Sequence, residues 1–173
     1  MGLDIAAHSK LRKVVGVPPP FPLNSHGRPD WDQIDEMHAV FPYVNPDFPD
    51  HARDLEQAAY HVEGLSYRFP CGSYRNYNAW RESLCRKALR ILPQQIWDNP
   101  GAFAGRPFVE LINFSDCEGC IGPTVAAKLY RDFLDHDEKL IQRASDRDQH
   151  WEMYQDFMRA FELAQDGGFV SFS

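Results

Sequence analysis

The sequence of 173 residues lacks several features that would identify its class. It has no apolar run near the roughly 20 residues of a membrane-spanning helix, and no basic leader followed by the apolar core of a secretory signal. The glycine-rich phosphate-binding patterns of Walker and Rossmann folds are absent, and no histidine pair has zinc-finger spacing. These absences predict a cytoplasmic protein without a membrane partner, in which the four cysteines are reduced.

Positive charge is also scarce. The chain has 18 Lys and Arg against 25 Asp and Glu, which gives a formal net charge of −7. Nucleic acids and membrane surfaces attract proteins with a positive surface, so the balance argues against both as partners. A cluster of basic residues between positions 68 and 90 is interpreted as a solvated helix face. The length suits a single domain, residues 1–173, that needs no metal or disulfide to fold.

Hydrophobic periodicity predicts an α+β fold. The segments that favour strands are 3–15, 65–69, 107–114 and 169–172, of which 107–114 is apolar on both faces and is predicted to be the central strand. Helices are predicted after Ser73, from Pro123, and over 137–165 with a break near residue 145. We therefore expect a small mixed or antiparallel sheet of about four strands packed against three main helices.

Residues 16–60 are predicted to form a proline-rich insertion over this core. Eight of the 13 prolines lie between positions 18 and 49, where they interrupt regular structure. Asp30 is predicted to cap a short helix with Trp31 and Ile34 facing inward, and residues 52–60 are expected to be partly helical. The aromatic side chains of the segment require burial, which favours an ordered insertion over a linker.

Residues 115–122 are the first candidate site, because they join the predicted central strand to a helix start, where unpaired N–H groups attract anions. Gly119 and Gly122 would allow a ligand to approach the backbone. Asp116 and Glu118 are candidate catalytic residues, as a general acid or base or as oxygen ligands of a divalent cation such as Mg²⁺. The alternative is a structural turn in which Asp116 is a cap.

Three further side chains are predicted to bind the ligand. Tyr74, Arg75 and Arg81 lie off the apolar stripe of their helix, where a ring can stack on a base and a guanidinium can pair with phosphate or carboxylate. If this helix adjoins the loop, an arginine would neutralise Asp116 or Glu118, either as a salt bridge or within a binding site. The first hypothesis is a protein that binds or hydrolyses a nucleotide-like or other anionic small molecule.

Cys117 and Cys120 form a CxxC pair between the predicted strand and helix, which is a position typical of thiol redox motifs. A thioredoxin-like fold needs more sheet after the motif than this chain provides. A zinc site needs two more ligands, and the other cysteines, Cys71 and Cys85, lie 14 positions apart. Redox or zinc chemistry therefore remains a secondary alternative, and no metal ligand set is predicted.

Three motifs carry a resemblance. An opening Gly-Leu-Asp, the sequence GSYRNYNAWR at residues 72–81 and FSDCEGCIG at residues 114–122 together resemble a family of uncharacterised bacterial and phage proteins. The resemblance covers the start of the chain and residues 70–172, and it implies that position 120 need not be cysteine. The second hypothesis follows from it: a non-enzymatic interaction protein, such as an immunity or anti-defence factor, with the insertion as its protein-binding surface.

Overall fold

The computed structural model describes residues 2–16, 22–27, 30–136 and 147–173. The strands are β1 (Gly2–His8), β2 (Leu11–Lys13), β3 (Tyr60–Val62), β4 (Ser66–Ser73), β5 (Gly119–Ile121) and β6 (Phe169–Phe172). The helices are α1 (Trp31–Glu36), α2 (Tyr74–Leu89), α3 (Pro93–Asp98), α4 (Val109–Ile112), α5 (Pro123–Asp135) and α6 (Arg147–Ala164). Two 3-10 turns lie at Pro49–His51 and Pro100–Phe103.

The main sheet has four antiparallel strands in the order β4-β1-β6-β5, so β1 and β6 are central. Strands β2 and β3 form a separate antiparallel pair. With three helices longer than one or two turns, the predicted α+β class is confirmed. Because side chains alternate along a strand, Leu3, Ile5 and Ala7 of β1 are buried in the main core, whereas the residues between them lie on the opposite face.

The first face of the sheet is covered by α2, α5 and α6 through aromatic rings. Trp80 of α2 stacks on Phe157 of α6, with ring centroids 4.8 Å apart and planes at 15°. The Tyr154 hydroxyl donates to the Phe133 carbonyl at 2.8 Å, which joins α6 to α5. The predicted apolar stripes of these helices are thus the core of the protein. Residues 137–146, which include the predicted break, lie outside the described residues.

The second face of the sheet is covered by residues from the proline-rich segment. Cys120 and Phe169 of the sheet pack there against Ala52, and Val40 and Val44 border the cluster. The end of this segment is held by β3, which pairs with β2 from Tyr60↔Lys13 to Val62↔Leu11. The molecule therefore has three layers: helices, sheet and proline-rich segment.

The predicted central strand over 107–114 is wrong. Residues 109–112 form helix α4, entered through Phe108 in a left-handed conformation with φ 61°. The Phe108 backbone N–H donates to Asp132 Oδ2 at 2.8 Å, which anchors the helix start to α5. An apolar run of this length does not distinguish a buried strand from a buried helix. In place of the predicted strand, the sheet contains β5, an edge strand that lies inside the predicted loop.

Smaller differences concern the proline-rich segment and the helix ends. Asp30 caps α1 by accepting from the Gln33 backbone at 3.1 Å, as predicted, but Trp31 is 52% exposed rather than inward-facing. The expected helix over 52–60 is wrong, since only the 3-10 turn before it is helical. Helix α3, which begins at Pro93, was not predicted from the sequence. Among the described helices, none combines the length and apolar character needed to cross a bilayer.

Candidate functional site

The 115–122 loop is held in place by hydrogen bonds of its own. Ser115 Oγ accepts from the backbone N–H groups of Cys117 at 3.3 Å and Glu118 at 3.1 Å, which closes a tight turn. Asp116 Oδ2 accepts from Asn78 Nδ2 of α2 at 2.6 Å. The Asp116 side chain remains 40% exposed, and Glu118 points to solvent. The loop therefore has the geometry of a structural turn with one carboxylate tied to α2.

Arg81 is the anchor of this arrangement. It is buried, with 4% of its surface exposed, and Nη1 donates to the carbonyls of Phe114 at 2.6 Å and Ile112 at 3.3 Å. Its Nη2 donates to Asn78 Oδ1 and lies 3.9 Å from Asp116 Oδ2. The helix and the loop do adjoin, but the guanidinium is buried and donates to two backbone carbonyls and to Asn78. Arg81 thus ties the loop to α2 rather than facing a solvent-filled site.

Gly119 and Gly122 are packed against the proline-rich segment. Gly119 has φ +123°, and a methyl group there would lie 2.8 Å from Asn45 Cβ. At Gly122 it would lie 2.5 Å from Asp54 Oδ1. The other oxygen of Asp54 accepts from the Thr124 backbone at 2.7 Å, so a carboxylate of the protein itself caps α5. Both glycines allow close packing. The helix N-terminus that was predicted to attract an anion is already capped by the Asp54 carboxylate.

The two cysteines of the CxxC pair face different surroundings. Cys117 is exposed on the turn, whereas Cys120 is buried in β5. Burial is the main cause that raises the pKa of Cys120 to about 12, which keeps the thiol protonated and unreactive at neutral pH. All four cysteines are free thiols. Over the described ranges, no three His, Cys, Asp or Glu side chains gather as a metal would require, so a divalent cation at the loop remains a prediction.

The remaining predicted ligand residues do not join the loop. Tyr74 is half-buried and packs against the core. Arg75 is exposed on the outer face of α2, where it borders a groove shared with α3. The structure thus brings Arg81 and Asp116 together, directs Arg75 elsewhere, and leaves Glu118 in solvent.

A cleft that sequence reasoning missed lies between the second face of the sheet and α1. Its volume is about 510 Å³, within the range of about 300–1,000 Å³ that is usual for small-molecule sites. Alternate residues of β1 form its floor, joined by Arg68 of β4 and Ser171 of β6, which flank Ala6 in register. Its other wall is formed by Trp31, Ile34, Asp35, Ala39, Val40 and Phe41.

His8 is the buried polar group of this cleft. Its ring is 4% exposed and lies 5.2 Å from the Phe169 ring. Nδ1 is 2.8 Å from Ser66 Oγ, which is the one hydrogen bond of the imidazole within the described part of the chain. Burial first, and the nearby Arg68 charge second, lower the pKa of His8 from 6.5 to about 4. The imidazole is therefore neutral at pH 7, so it offers hydrogen bonds without a charge.

Three other polar side chains of the cleft are charged and exposed. Asp4, Asp35 and Arg68 all line it, and within the described residues none of the three forms an ion pair with another side chain. Trp31 packs edge-on against Phe41 at 5.8 Å between ring centroids and remains half exposed. The cleft therefore presents aromatic surface, both signs of charge and a neutral imidazole.

The sequence contained only part of the information that predicts this cleft. The alternation of Asp4, Ala6 and His8 places two polar side chains on the face of β1 opposite the core, yet nothing local shows that α1 lies over them. Comparison of the chain with protein-family models, curated proteins and solved structures finds no match. Function must therefore be argued from the geometry of the sites.

Proposed function

We propose that this protein binds a small organic molecule in the cleft between the sheet and α1. The observation that carries the proposal is the concave space of about 510 Å³, which has aromatic walls and a few convergent polar groups. Such a combination is the usual composition of a ligand site. Neither carboxylate of the 115–122 loop lines this cleft, so the proposed binding site is the cleft on the second face of the sheet rather than the loop.

The lining determines the chemistry of the ligand. Trp31 and Phe41 offer ring surfaces for an apolar or aromatic body. The carboxylates of Asp4 and Asp35 suit a cationic group, and Arg68 suits a carboxylate or a single phosphate. A polyphosphate would meet net repulsion, because the lining carries two negative charges and one positive charge. A compact molecule with both an ammonium and an acidic group matches the cleft better than the nucleotide-like or other anionic molecule predicted from the sequence.

His8 supports binding rather than proton transfer. A general base works best when its pKa lies near the operating pH, whereas the pKa of His8 is lowered to about 4. A neutral imidazole with one nitrogen on Ser66 retains its second nitrogen as a hydrogen-bond partner for a ligand. We therefore assign His8 to ligand orientation.

The test is ligand-observed NMR with a fragment library that contains zwitterionic, cationic and anionic members. The variant Ala6→Phe fills the floor of the cleft, and Ala102→Phe makes the same change at an exposed turn on another surface. We expect zwitterionic fragments to bind the wild type and Ala102→Phe, and to lose binding in Ala6→Phe. Fragments that bind all three proteins equally, or a library without hits, would contradict the proposal.

Two more variants locate and characterise the site. Arg68→Glu, at the exposed rim, should weaken fragments with an acidic group and retain those that are only cationic. The double variant Asp116→Asn with Glu118→Gln should leave the fragment profile unchanged. If the double variant abolishes binding while the protein stays folded, the loop is the site and the cleft proposal is wrong.

A further inference from the structure

A second concave surface runs along the outer face of α2, on the other side of the molecule's helix layer. One cavity of about 490 Å³ lies between α2 and α3, and a second of about 400 Å³ lies at the start of α2. Both are lined by Arg75 and Ala79. The two cavities therefore adjoin along α2, with Arg75 and Ala79 between them, and we call the surface that they form together the groove.

The groove is built from two helix faces. Arg75, Ala79, Glu82 and Arg86 follow the spacing of one helical face and line it from α2. This face is opposite the stripe of α2 that is buried in the core. The α3 side supplies apolar surface, because Leu92 is 39% exposed and Trp97 is 43% exposed. The sequence did not predict that these two surfaces lie side by side, because α3 itself was not predicted.

The Trp97 ring is held rigidly although much of it is in solvent. Its Nε1 donates to the Ile112 carbonyl at 3.1 Å, the same carbonyl that accepts from Arg81. An exposed aromatic ring that is already fixed loses little conformational entropy when it is covered. Rigid tryptophans beside an apolar side chain are frequent anchors of protein interfaces.

The charges of the groove are uneven. Arg86 is paired with Glu82 at 2.8 Å, whereas Arg75 has no acidic partner within the described residues. The groove therefore carries an uncompensated positive charge beside apolar surface, on a chain whose net charge is −7. Within the described part of the groove, the single unpaired arginine is a small footprint for nucleic acid, which requires several phosphate contacts. It is sufficient to pair with one carboxylate of a peptide.

We propose that this groove docks an extended peptide segment of a partner protein, in which a large apolar side chain covers Leu92 and Trp97 and a nearby Asp or Glu pairs with Arg75. The groove follows α2 from Arg75 to Arg86, which is a path along which an extended chain can lie, and its unpaired arginine selects against basic segments. This surface is separate from the cleft on the sheet, so the proposal does not depend on the proposed ligand.

The experiment selects a displayed random peptide library on the immobilised protein and measures the recovered peptides by fluorescence anisotropy. We expect recovered peptides to combine an acidic residue with Leu, Phe or Trp. Arg75→Glu should weaken them by at least about tenfold and should bind versions in which the acidic residue is changed to Lys. Arg53→Glu, at an exposed arginine outside the groove, is the matched control and should bind like the wild type.

A second variant protects the test against misfolding. Leu92 is the N-cap residue of α3, and aspartate is a preferred N-cap, so Leu92→Asp should keep the helix while it places a negative charge in the groove. It should reduce binding of the acidic peptides by at least about tenfold. The proposal would be overturned by recovered peptides whose affinity neither variant changes, by basic consensus sequences, or by a library without enrichment. So would groove-dependent binding of single-stranded DNA, or self-association of the protein that Arg75→Glu removes.

Discussion

Acidification should weaken the folded protein through His8, and the structure allows the size of the effect to be worked out. The unfolded chain takes up a proton on this imidazole with a pKa of 6.5, whereas the buried ring in the folded protein has a pKa of about 4. At 1.36 kcal/mol per pKa unit, the difference corresponds to about 3 kcal/mol. This stability is fully present above the unfolded pKa and is lost as the pH falls towards the folded value.

The measurable part lies in a convenient range. Between about pH 7.5 and about pH 5, protonation of His8 in the unfolded state should remove about 2 kcal/mol of the free energy of unfolding. Other groups also titrate in this range, including His51, whose pKa is lowered mainly by burial. The comparison variant is therefore His8→Asn, which can keep a hydrogen bond at the Nδ1 position to Ser66 but does not titrate. All other groups remain the same in both proteins.

The assay is urea unfolding of both proteins across this pH range, followed by intrinsic fluorescence. We expect the wild type to lose stability more steeply than His8→Asn, with a difference in the loss of about 2 kcal/mol between the two ends of the range. Proton NMR of the histidine rings provides a direct check, because His8 should stay neutral down to about pH 5. Parallel pH profiles of the two proteins, or a His8 ring that titrates near 6.5, would refute the reasoning.

Three further predictions concern the loop, the chain turn before β6 and the thiols. Arg81→Leu should lower the free energy of unfolding by about 3 kcal/mol, because the Phe114 carbonyl and Asn78 Oδ1 lose the guanidinium that donates to them. Asp116→Asn should cost less than about 1 kcal/mol. Thermal denaturation distinguishes the two variants, and equal losses would contradict the anchor role. Gly168→Ala would place a methyl group 1.7 Å from the His8 carbonyl oxygen and should destabilise by at least about 3 kcal/mol. Gly167 has open space around it, so Gly167→Ala should cost only about 1–2 kcal/mol for its left-handed backbone. Similar melting temperatures of the two glycine variants would argue against close packing of Gly168 on the His8 carbonyl. Cys117 should be the one thiol that reacts rapidly with a disulfide reagent in the native protein, with the other three reacting after denaturation, and rapid reaction of more than one thiol would contradict the burial.

The local signals of the sequence predicted most of the helices and the terminal strand correctly. The Asp30 cap, the proline that begins α5, and the apolar period of α2 each act within a few residues, so they can be recognised without tertiary structure. The terminal strand β6 after Gly167 belongs to the same class. The α+β class followed from these elements.

The tertiary structure decided the identity of the buried apolar run and the roles of the polar residues. Residues 109–112 are helical because they are enclosed by neighbouring helices, a condition that hydrophobicity alone does not specify. The same residue type serves opposite purposes in α2, where Arg81 is buried on backbone carbonyls and Arg75 lies in a solvent-exposed groove. Two positions in one helix six residues apart differ because the loop and α3 pack on different faces of it.

The cleft shows most clearly which features the sequence determined and which features only the tertiary structure decided. Sequence determined that β1 alternates, and hence that Asp4 and His8 share a face. Only the folded chain places α1 over that face and sets Arg68 and Ser171 beside Ala6 by strand register. The proposed site is assembled from segments distant in sequence, so it depends on long-range strand pairing and on burial, and it is mainly burial that lowers the pKa of His8.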